Sequence, residues 1–569
     1  MIYVANDSLQ NATKTRKGFY FLLDSIIEAT TQPDGSFRQE IYMEGRLVDM
    51  AKHASRIVDD ALLDLLKSCK GFRQLVHSIG ISIQCDETDQ LSIPFIYENW
   101  GKTNKYETGT RMQTLCPTDG SEVIILLSDY DWSEEDDVPG KLSFEFSRAG
   151  ALATVSVFLY INEGFESPQQ EDNGPIDSNS PAYHNMISKS LLQLGNNTRL
   201  KKAIDKARTG EDVTIAYIGG SITEGASARP IHNSCYAYQS YTNFKQQYGK
   251  DNEDHIHFIK AGVGGTPSEL GMIRYERDVL KHGAAQPDIV IIEFAVNDAE
   301  DETEGVCYES LVLRALQEKN EPAVILLFSV FINDWNLQDR LSPIGKHYDL
   351  PMVSIKDALV EQFSLTKQEG LVITKQQYFY DIYHPTNAGH TIMADCLNYL
   401  IAEVDRSDQS EQDIDLNKLP IIGDDFVHIS LLDRIHNTHI AQICEGSFQA
   451  TDTELHAVGL DDETIRTPQF PNNWMHTSES GSDSFMMKLH CKSLLLIYKD
   501  TGNNEFGSAD ILVDGILAKT VDPLLIKWTH CHPTIVFNEE EASDHTVEIR
   551  MSAGHEDKRF TILGFGVVQ

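Results

Sequence analysis

An α/β fold with a parallel central sheet, flanked by a β-rich amino-terminal part and a carboxy-terminal β-sandwich, is what this chain predicts, on three observations. Between residues 182 and 404, apolar runs of strand length alternate with helix-like segments. Those runs are continuous rather than alternating, the pattern of strands covered on both faces. On either side the chain returns to short β-type runs punctuated by turn residues.

Residues 1–170 read as a mostly β accessory domain with a helix. Leu47, Met50, Ala51, Ala54, Ile57, Val58, Ala61, Leu62, Leu65 and Leu66 recur at helical spacing and predict one amphipathic helix. SEVIILL, KLSFEFS and ATVSVFLYI follow as strands. ESPQQEDNGPIDSNSP (166–181) is polar, has prolines and lacks an apolar period, so it reads as a linker.

In the middle part, 182–404, LKKAIDKART predicts a helix that leads into VTIAYIGG; HIHFIKAG, DIVIIEFAV, AVILLFSVF and PMVSI are further strands. Chemistry in such sheets gathers at the carboxyl ends of strands, and Ser221 stands at one. DRSDQSEQDIDLNKLP (405–420) reads as a second linker. Beyond it, 420–569 offers SLLLIYKD, HTVEIRMS and FTILGFGVV, and ADILVDGILAKTV with a hairpin turn at Asp514-Gly515. That spacing predicts a β-sandwich accessory domain, with sugar binding as one reading of its role.

Composition narrows the function classes. A chain of 569 residues exceeds one ordinary core, and 41% hydrophobic with 23% charged residues is globular composition. No stretch reaches the ~20 apolar residues of a membrane helix, and the amino terminus lacks the order of a signal peptide. Nine cysteines without CxxC pairs suit a reducing cytoplasm. A net charge of −39 argues against nucleic acid and anionic membranes as partners. Homo-oligomerisation is left open. His255-Ile256-His257 and His530-Cys531-His532 offer close ligands but no further partners at a recognisable spacing, so no metal and no cofactor are expected.

IAYIGGSITEGAS (215–227) raises the question of what its glycines serve. The P-loop spacing from Gly220 to Ser227 has Ala226 where the lysine belongs, so phosphate would meet no charge. GVGGTP has Pro267 in place of the third glycine of a dinucleotide turn. The GxSxG elbow would need glycine at Thr223. Four dispersed blocks do fit one another: YIGGSITEG, AGVGGTPSE, EFAVNDAED and DIYHPTNAGH. In this order they resemble the SGNH branch of the GDSL hydrolases, over about residues 185–403. Taken singly, Ser221 would be a helix cap, Gly264-Gly265 a bend, Asn297-Asp298 a turn and His384 a loop histidine. Together and in order they point to chemistry.

The resemblance implies an SGNH-type α/β/α sandwich and a catalytic triad of Ser221, His384 and Asp381, the histidine activating a weak hydroxyl nucleophile. It also implies an oxyanion hole made by the Ser221 N–H, the Gly265 N–H and the Asn297 amide. GGSIT stands where GDSL is common, and Ala295-Val296 precede Asn297 where glycines are common, which leaves the donor among Gly262, Gly264 and Gly265 less defined. The SGNH group includes lipases, thioesterases and carbohydrate esterases. The flanking β parts favour a carbohydrate O-acetylesterase with an acetylated carbohydrate as substrate; a lysophospholipase- or thioesterase-like enzyme and a non-catalytic glycan-binding protein are the alternatives. Trp335 is a candidate sugar platform beside the site, and Trp474 and Trp528 are candidate stacking residues in the third part.

Overall fold

The computed structural model describes residues 13–32, 34–85, 90–168, 174–250, 254–454, 457–458, 467–526 and 529–569. At its centre is a six-stranded sheet in the order Leu191–Gln193, Met352–Ser354, Ala323–Phe328, Ile289–Glu293, Val213–Gly219, Ile256–Gly262. The five strands expected from the apolar runs pair in parallel. Leu191–Gln193 adds an antiparallel edge, too short to leave a signal in the sequence.

Successive strand residues point to opposite faces, so each strand feeds two cores. Ile215, Tyr217, Ile289, Ile291, Ile325 and Leu327 join helices Thr198–Thr209, Tyr236–Tyr248 and Asn387–Arg406. Ala216, Ile218, Val290, Ile292, Val324 and Leu326 join helices Ser268–Asp278, Val306–Leu316 and Gln338–His347. The result is an α/β/α sandwich.

Each accessory part extends one of those cores. On the amino-terminal side, Gly18–Glu28, Leu152–Ile161, Val76–Gln84 and Val123–Leu126 make a four-stranded antiparallel sheet. A second sheet of five strands runs from Thr30–Thr31 through Phe37–Tyr42, Asp136–Phe146 and Ser92–Gly101 to Arg111–Pro117. Phe19 and Val157 from the first and Phe95 and Phe144 from the second share a core with Ile215.

The single helix expected over 47–66 is in fact broken. Leu47–Asp49 runs into a π-helical turn, Met50–Ala54, and a new helix begins at Asp60. Arg56 takes a φ of 57°, which ends the first piece, and the Asp59 carboxylate accepts the N–H of Ala61 at 2.9 Å, capping the next. The apolar period runs across the break because both pieces face one core. Val58, counted in the apolar stripe, is 87% exposed at the turn.

On the carboxy-terminal side one eight-stranded sheet bends over itself. Its long strands Phe485–Asp500 and His530–Met551 shift register between Cys491 and Ser493. Before that bulge Phe485–Asp500 also pairs with Ala441–Cys444, and after it with Phe560–Val568. A strand that changes partner at a bulge turns a corner, and the sandwich closes on Leu432, Met487, Leu496, Ile511 and Phe565. The turn at Asp514-Gly515 has φ of 52° and 81°, as a two-residue hairpin with both central residues left-handed requires. This layer packs on helix Ser268–Asp278, where a side chain at Gly566 would meet Ile273 at 2.8 Å.

The segment 405–420 is pinned to the central part. Asp413 pairs with Arg199 at 3.0 Å, and Ile414 and Leu416 lie against the second core. Just beyond, the Glu309 carboxylate accepts the N–H groups of Ile421, Ile422 and Gly423 at 2.8, 2.6 and 2.8 Å. Among the described residues no helix is long and apolar enough to cross a membrane.

Trp474, a candidate sugar-stacking residue on sequence grounds, is 1% exposed. It packs on Phe485 and Phe565, and its indole N–H donates to Glu445 at 2.9 Å. A ring so enclosed belongs to the core. Trp528 lies outside the described residues. Trp474→Ala is therefore expected to lower unfolding stability by about 3–5 kcal/mol, read by denaturant titration; a loss confined to sugar binding would contradict the core assignment.

Candidate active site

The strand Val213–Gly219 ends in two glycines, and Ser221 opens the helical turn Ser221–Glu224. Both glycines answer a lack of space. A Cβ on Gly219 would lie 2.2 Å from Thr223 Oγ1 and 2.5 Å from the Glu293 carbonyl, and one on Gly220 would lie 2.3 Å from Asn297 Oδ1. Gly262, at the end of the adjacent strand, would press into the Glu224 N–H at 2.0 Å. The turn is thus wedged between neighbouring strand ends. Arg274, fully buried, fastens them from below by donating to the carbonyls of Ala261 at 2.7 Å and Gly219 at 2.8 Å. Asp278 balances its charge at 3.2 Å. A lone arginine in a helix left no sequence signal for this role.

Opposite this turn, the loop before helix Asn387–Arg406 carries Asp381 and His384. His384 Nε2 lies 2.9 Å from Ser221 Oγ. Its Nδ1 lies 3.0 Å from both carboxylate oxygens of Asp381. Asp381 Oδ1 also accepts the N–H groups of Tyr383 and His384, each at 2.8 Å, so the turn itself fixes the pair. Arg46, from the amino-terminal part, reaches Asp381 Oδ2 at 3.1 Å. Burial would raise the Asp381 carboxyl, but His384 first, then Arg46 and the Tyr383 N–H, hold it well below the usual carboxylate range. His390, nearby on the helix, is pushed down to about 3, chiefly by burial, and is neutral.

The remaining site residues converge on the same place. The Asn297 carboxamide lies over Gly220, and its Oδ1 has no hydrogen-bond partner among the described residues. Gly265 has a φ of 67°, a conformation that favours glycine. Neither its N–H nor that of Ser221 donates to a backbone carbonyl among the described residues. Asp298, quoted in the motif but given no role from sequence, joins these pieces: its Oδ1 accepts the Ser268 N–H at 2.8 Å, tying the Asn297 turn to the loop of Gly265. Burial pushes the Asp298 carboxyl up to about 7.

Trp335 is half-buried. It stacks on Phe331 at 5.9 Å, Phe331 meets Tyr383 edge-on at 5.0 Å, and Tyr383 adjoins the His384 ring at 6.0 Å. Tyr383 is 41% exposed. The aromatic wall beside the histidine therefore ends in Tyr383, which sits inside the DIYHPTN block and received no role from sequence. The histidine pairs weighed as metal ligands lie elsewhere. His255 binds the Ala207 carbonyl and His257 binds Asp212. His530 and His532 gain a third neighbour that spacing did not reveal, Asp500 from the adjacent strand, with ligand atoms within 4.8 Å of one another.

Residues 217–392 match the family model of the GDSL-like lipase/acylhydrolase family. Among solved structures, a two-domain esterase active on acetylated mannans, co-crystallized with mannopentaose, is similar at 26% identity and a TM-score of 0.57, covering 67% of this chain and 98% of that one. A second crystal structure of a two-domain esterase active on acetylated mannans is similar at 26% identity and a TM-score of 0.58, with 67% and 99% covered. No curated protein matches the chain.

Behind the site, Glu269 is buried against Asp298 and Asp301, and its carboxylate accepts the Glu302 N–H at 3.1 Å. Burial first, then Asp301 and Asp298, push the Glu269 carboxyl up to about 9. The folded chain thus keeps a proton that the unfolded chain loses above the ordinary glutamate range, ~4.3. A raised folded value means that stability falls as pH rises through that window. Glu269→Gln carries no such proton. Its stability relative to the parent is expected to climb between pH ~4.5 and about 9 and then level off, measured by denaturant titration at each pH; a pH-independent difference would contradict the buried proton.

Proposed function

We propose that this protein is a serine-dependent carbohydrate O-acetylesterase, a reading supported by the match of residues 217–392 to the GDSL-like lipase/acylhydrolase family model. The observation that carries the reading is the unbroken chain from Asp381 through His384 to Ser221, with contacts of 3.0 and 2.9 Å. The likeness to an esterase active on acetylated mannans supports an acetylated oligo- or polysaccharide as substrate.

In this mechanism Asp381 binds Nδ1–H, which leaves Nε2 as the acceptor facing Ser221. His384 takes the hydroxyl proton as Oγ attacks the acetyl carbonyl. The oxyanion that forms accepts hydrogen bonds from the Ser221 N–H, the Gly265 N–H and the Asn297 amide, each worth about 3 kcal/mol in comparable acyl transfers. His384 then gives the proton to the departing sugar oxygen, leaving acetyl-Ser221. Water, deprotonated by the same imidazole, attacks the acetyl carbon; the C–Oγ bond breaks, Ser221 Oγ takes the proton back from His384 and acetate leaves. All nine cysteines are free thiols, which supports a cytoplasmic setting.

Ser221→Ala is expected to abolish hydrolysis with the fold intact. Asp381→Asn is expected to lose roughly two to four orders of magnitude, since the tautomer is no longer held. p-Nitrophenyl esters of increasing chain length, with acetate release from acetylated mannan, form the assay. A preference for acyl chains of eight carbons or more would favour the lysophospholipase- or thioesterase-like alternative. No turnover on any ester would favour a glycan-binding protein.

A further inference from the structure

Among the described residues, the bonding of the Asp381-to-His384 turn recurs in a second Asp-x-x-His stretch. Asp433-Arg434-Ile435-His436, in the carboxy-terminal part, repeats the bonds of Asp381-Ile382-Tyr383-His384. Asp433 Oδ1 accepts the N–H groups of Ile435 and His436 at 2.9 and 2.8 Å, and the two carboxylate oxygens lie 3.0 and 2.9 Å from His436 Nδ1. No serine hydroxyl and no arginine ion pair completes it among the described residues. There a neutral amide, Asn472 Nδ2, donates to Asp433 Oδ2 at 3.4 Å, so the turn holds its Asp–His pair without a cation and the arginine on Asp381 needs a separate reason.

That arginine is Arg46, brought from the amino-terminal part to 3.1 Å from Asp381 Oδ2. The carboxylate is 6% exposed at the side chain and the guanidinium 27%, so solvent screens the pair only in part. Other titratable groups around His384 leave few competing charges. Tyr380 is raised by burial to about 12, Tyr383 is raised by burial, and His390 is neutral. Arg229 and Lys260 act on His390, and Asp49 on Tyr383, from further out. Arg46 is the charge in contact with the carboxylate that steadies an imidazolium.

We propose that Arg46 is a positioning residue supplied by the amino-terminal part: by pairing with Asp381 it weakens the hold of that carboxylate on the imidazolium of His384, which keeps the base neutral and the site active to lower pH. This rests on Ser221, His384 and Asp381 acting as the triad. Removing Arg46 makes protonated His384 easier to form, so the acid limb of activity moves to higher pH.

The test uses the full chain with Arg46→Met and Arg46→Lys. The Met variant is expected to shift the acid limb of kcat/KM for p-nitrophenyl acetate upward by about half to one pH unit, the scale of one partly screened charge. That is a roughly three- to tenfold loss on the limb, with the alkaline plateau little changed. The Lys variant, which keeps the charge, stays near the parent. Carbon-13 labelled histidine NMR, with His384 assigned through His384→Gln, follows the same imidazole without substrate. If the parent hydrolyses no ester, the proposed reaction fails while the NMR comparison still decides on Arg46. An unmoved or lowered His384 midpoint in the Met variant, or an equal shift in the Lys variant, overturns the proposal. Should the Met variant melt below the assay temperature, Arg46→Gln carries the same expectation.

Discussion

The hydrogen bond of 2.9 Å between His384 Nε2 and Ser221 Oγ joins residues 163 apart in sequence, and the rest of the structure can be understood as what holds its two ends. Neither end can be adjusted alone. Ser221 sits on a turn pressed against Gly262 and Asn297 with no room for a Cβ at Gly219 or Gly220. His384 sits on a loop closed by Asp381 below and by helix Asn387–Arg406 behind, whose first turn is capped by the Thr386 hydroxyl at 3.1 Å. Close-packed surroundings transmit a displacement rather than absorb it.

The site is also surrounded by buried charge. Arg274 sits under Ser221 with Asp278, while Glu269, Asp298 and Glu293 are carboxyls raised by burial to about 9, 7 and 7. A buried charge destabilises unless paired or neutralised, and both solutions occur here. Arg274 is paired because it must donate to two strand-end carbonyls. Glu269 is protonated because burial first, and its acidic neighbours next, disfavour the charged form. Such sites trade stability for geometry: Asp298 pays for its burial by holding the Asn297 turn to the loop of Gly265.

How far the sequence could be read follows from which signals are local. The parallel sheet was legible because continuous runs such as DIVIIEF must be covered on both faces, and parity then sorts Ile289 from Val290. The four motif blocks were legible because each places its residue at a strand end or ahead of a helix. The break at Arg56 was not, since the apolar period continues through it and only the Asp59 cap marks the restart. The polar segment 405–420 looked free because its anchor, Arg199, lies far away in the chain. Trp474 illustrates the same limit: composition offers a tryptophan, and only packing on Phe485 and Phe565 decides that it is core. Arg46 is the extreme case, a surface-type residue in a different part of the chain whose meaning appears only beside Asp381.

The two accessory parts are attached to different halves of the machinery. The carboxy-terminal part grips helix Ser268–Asp278: Arg277 donates to the Gln469 carbonyl at 3.0 Å and lies 4.6 Å from the Phe470 ring. From that helix Arg274 reaches the Gly219 carbonyl and Ser268 reaches Asp298, so this contact runs to the Ser221 and Asn297 side of the site. The amino-terminal part grips the loop of the candidate base instead. Arg46 pairs with Asp381, Gln376 donates to the Tyr20 carbonyl at 3.1 Å, and Arg56 donates to the Phe363 carbonyl at 2.7 Å. A spacer would have no reason to touch these residues. Because each part extends a core that begins on one face of the same sheet, a shift of either would be felt at one end of the Ser221–His384 bond and not the other. The distance between Ser221 and His384 is thus set by all three parts of the chain, although every atom of the proposed triad belongs to one.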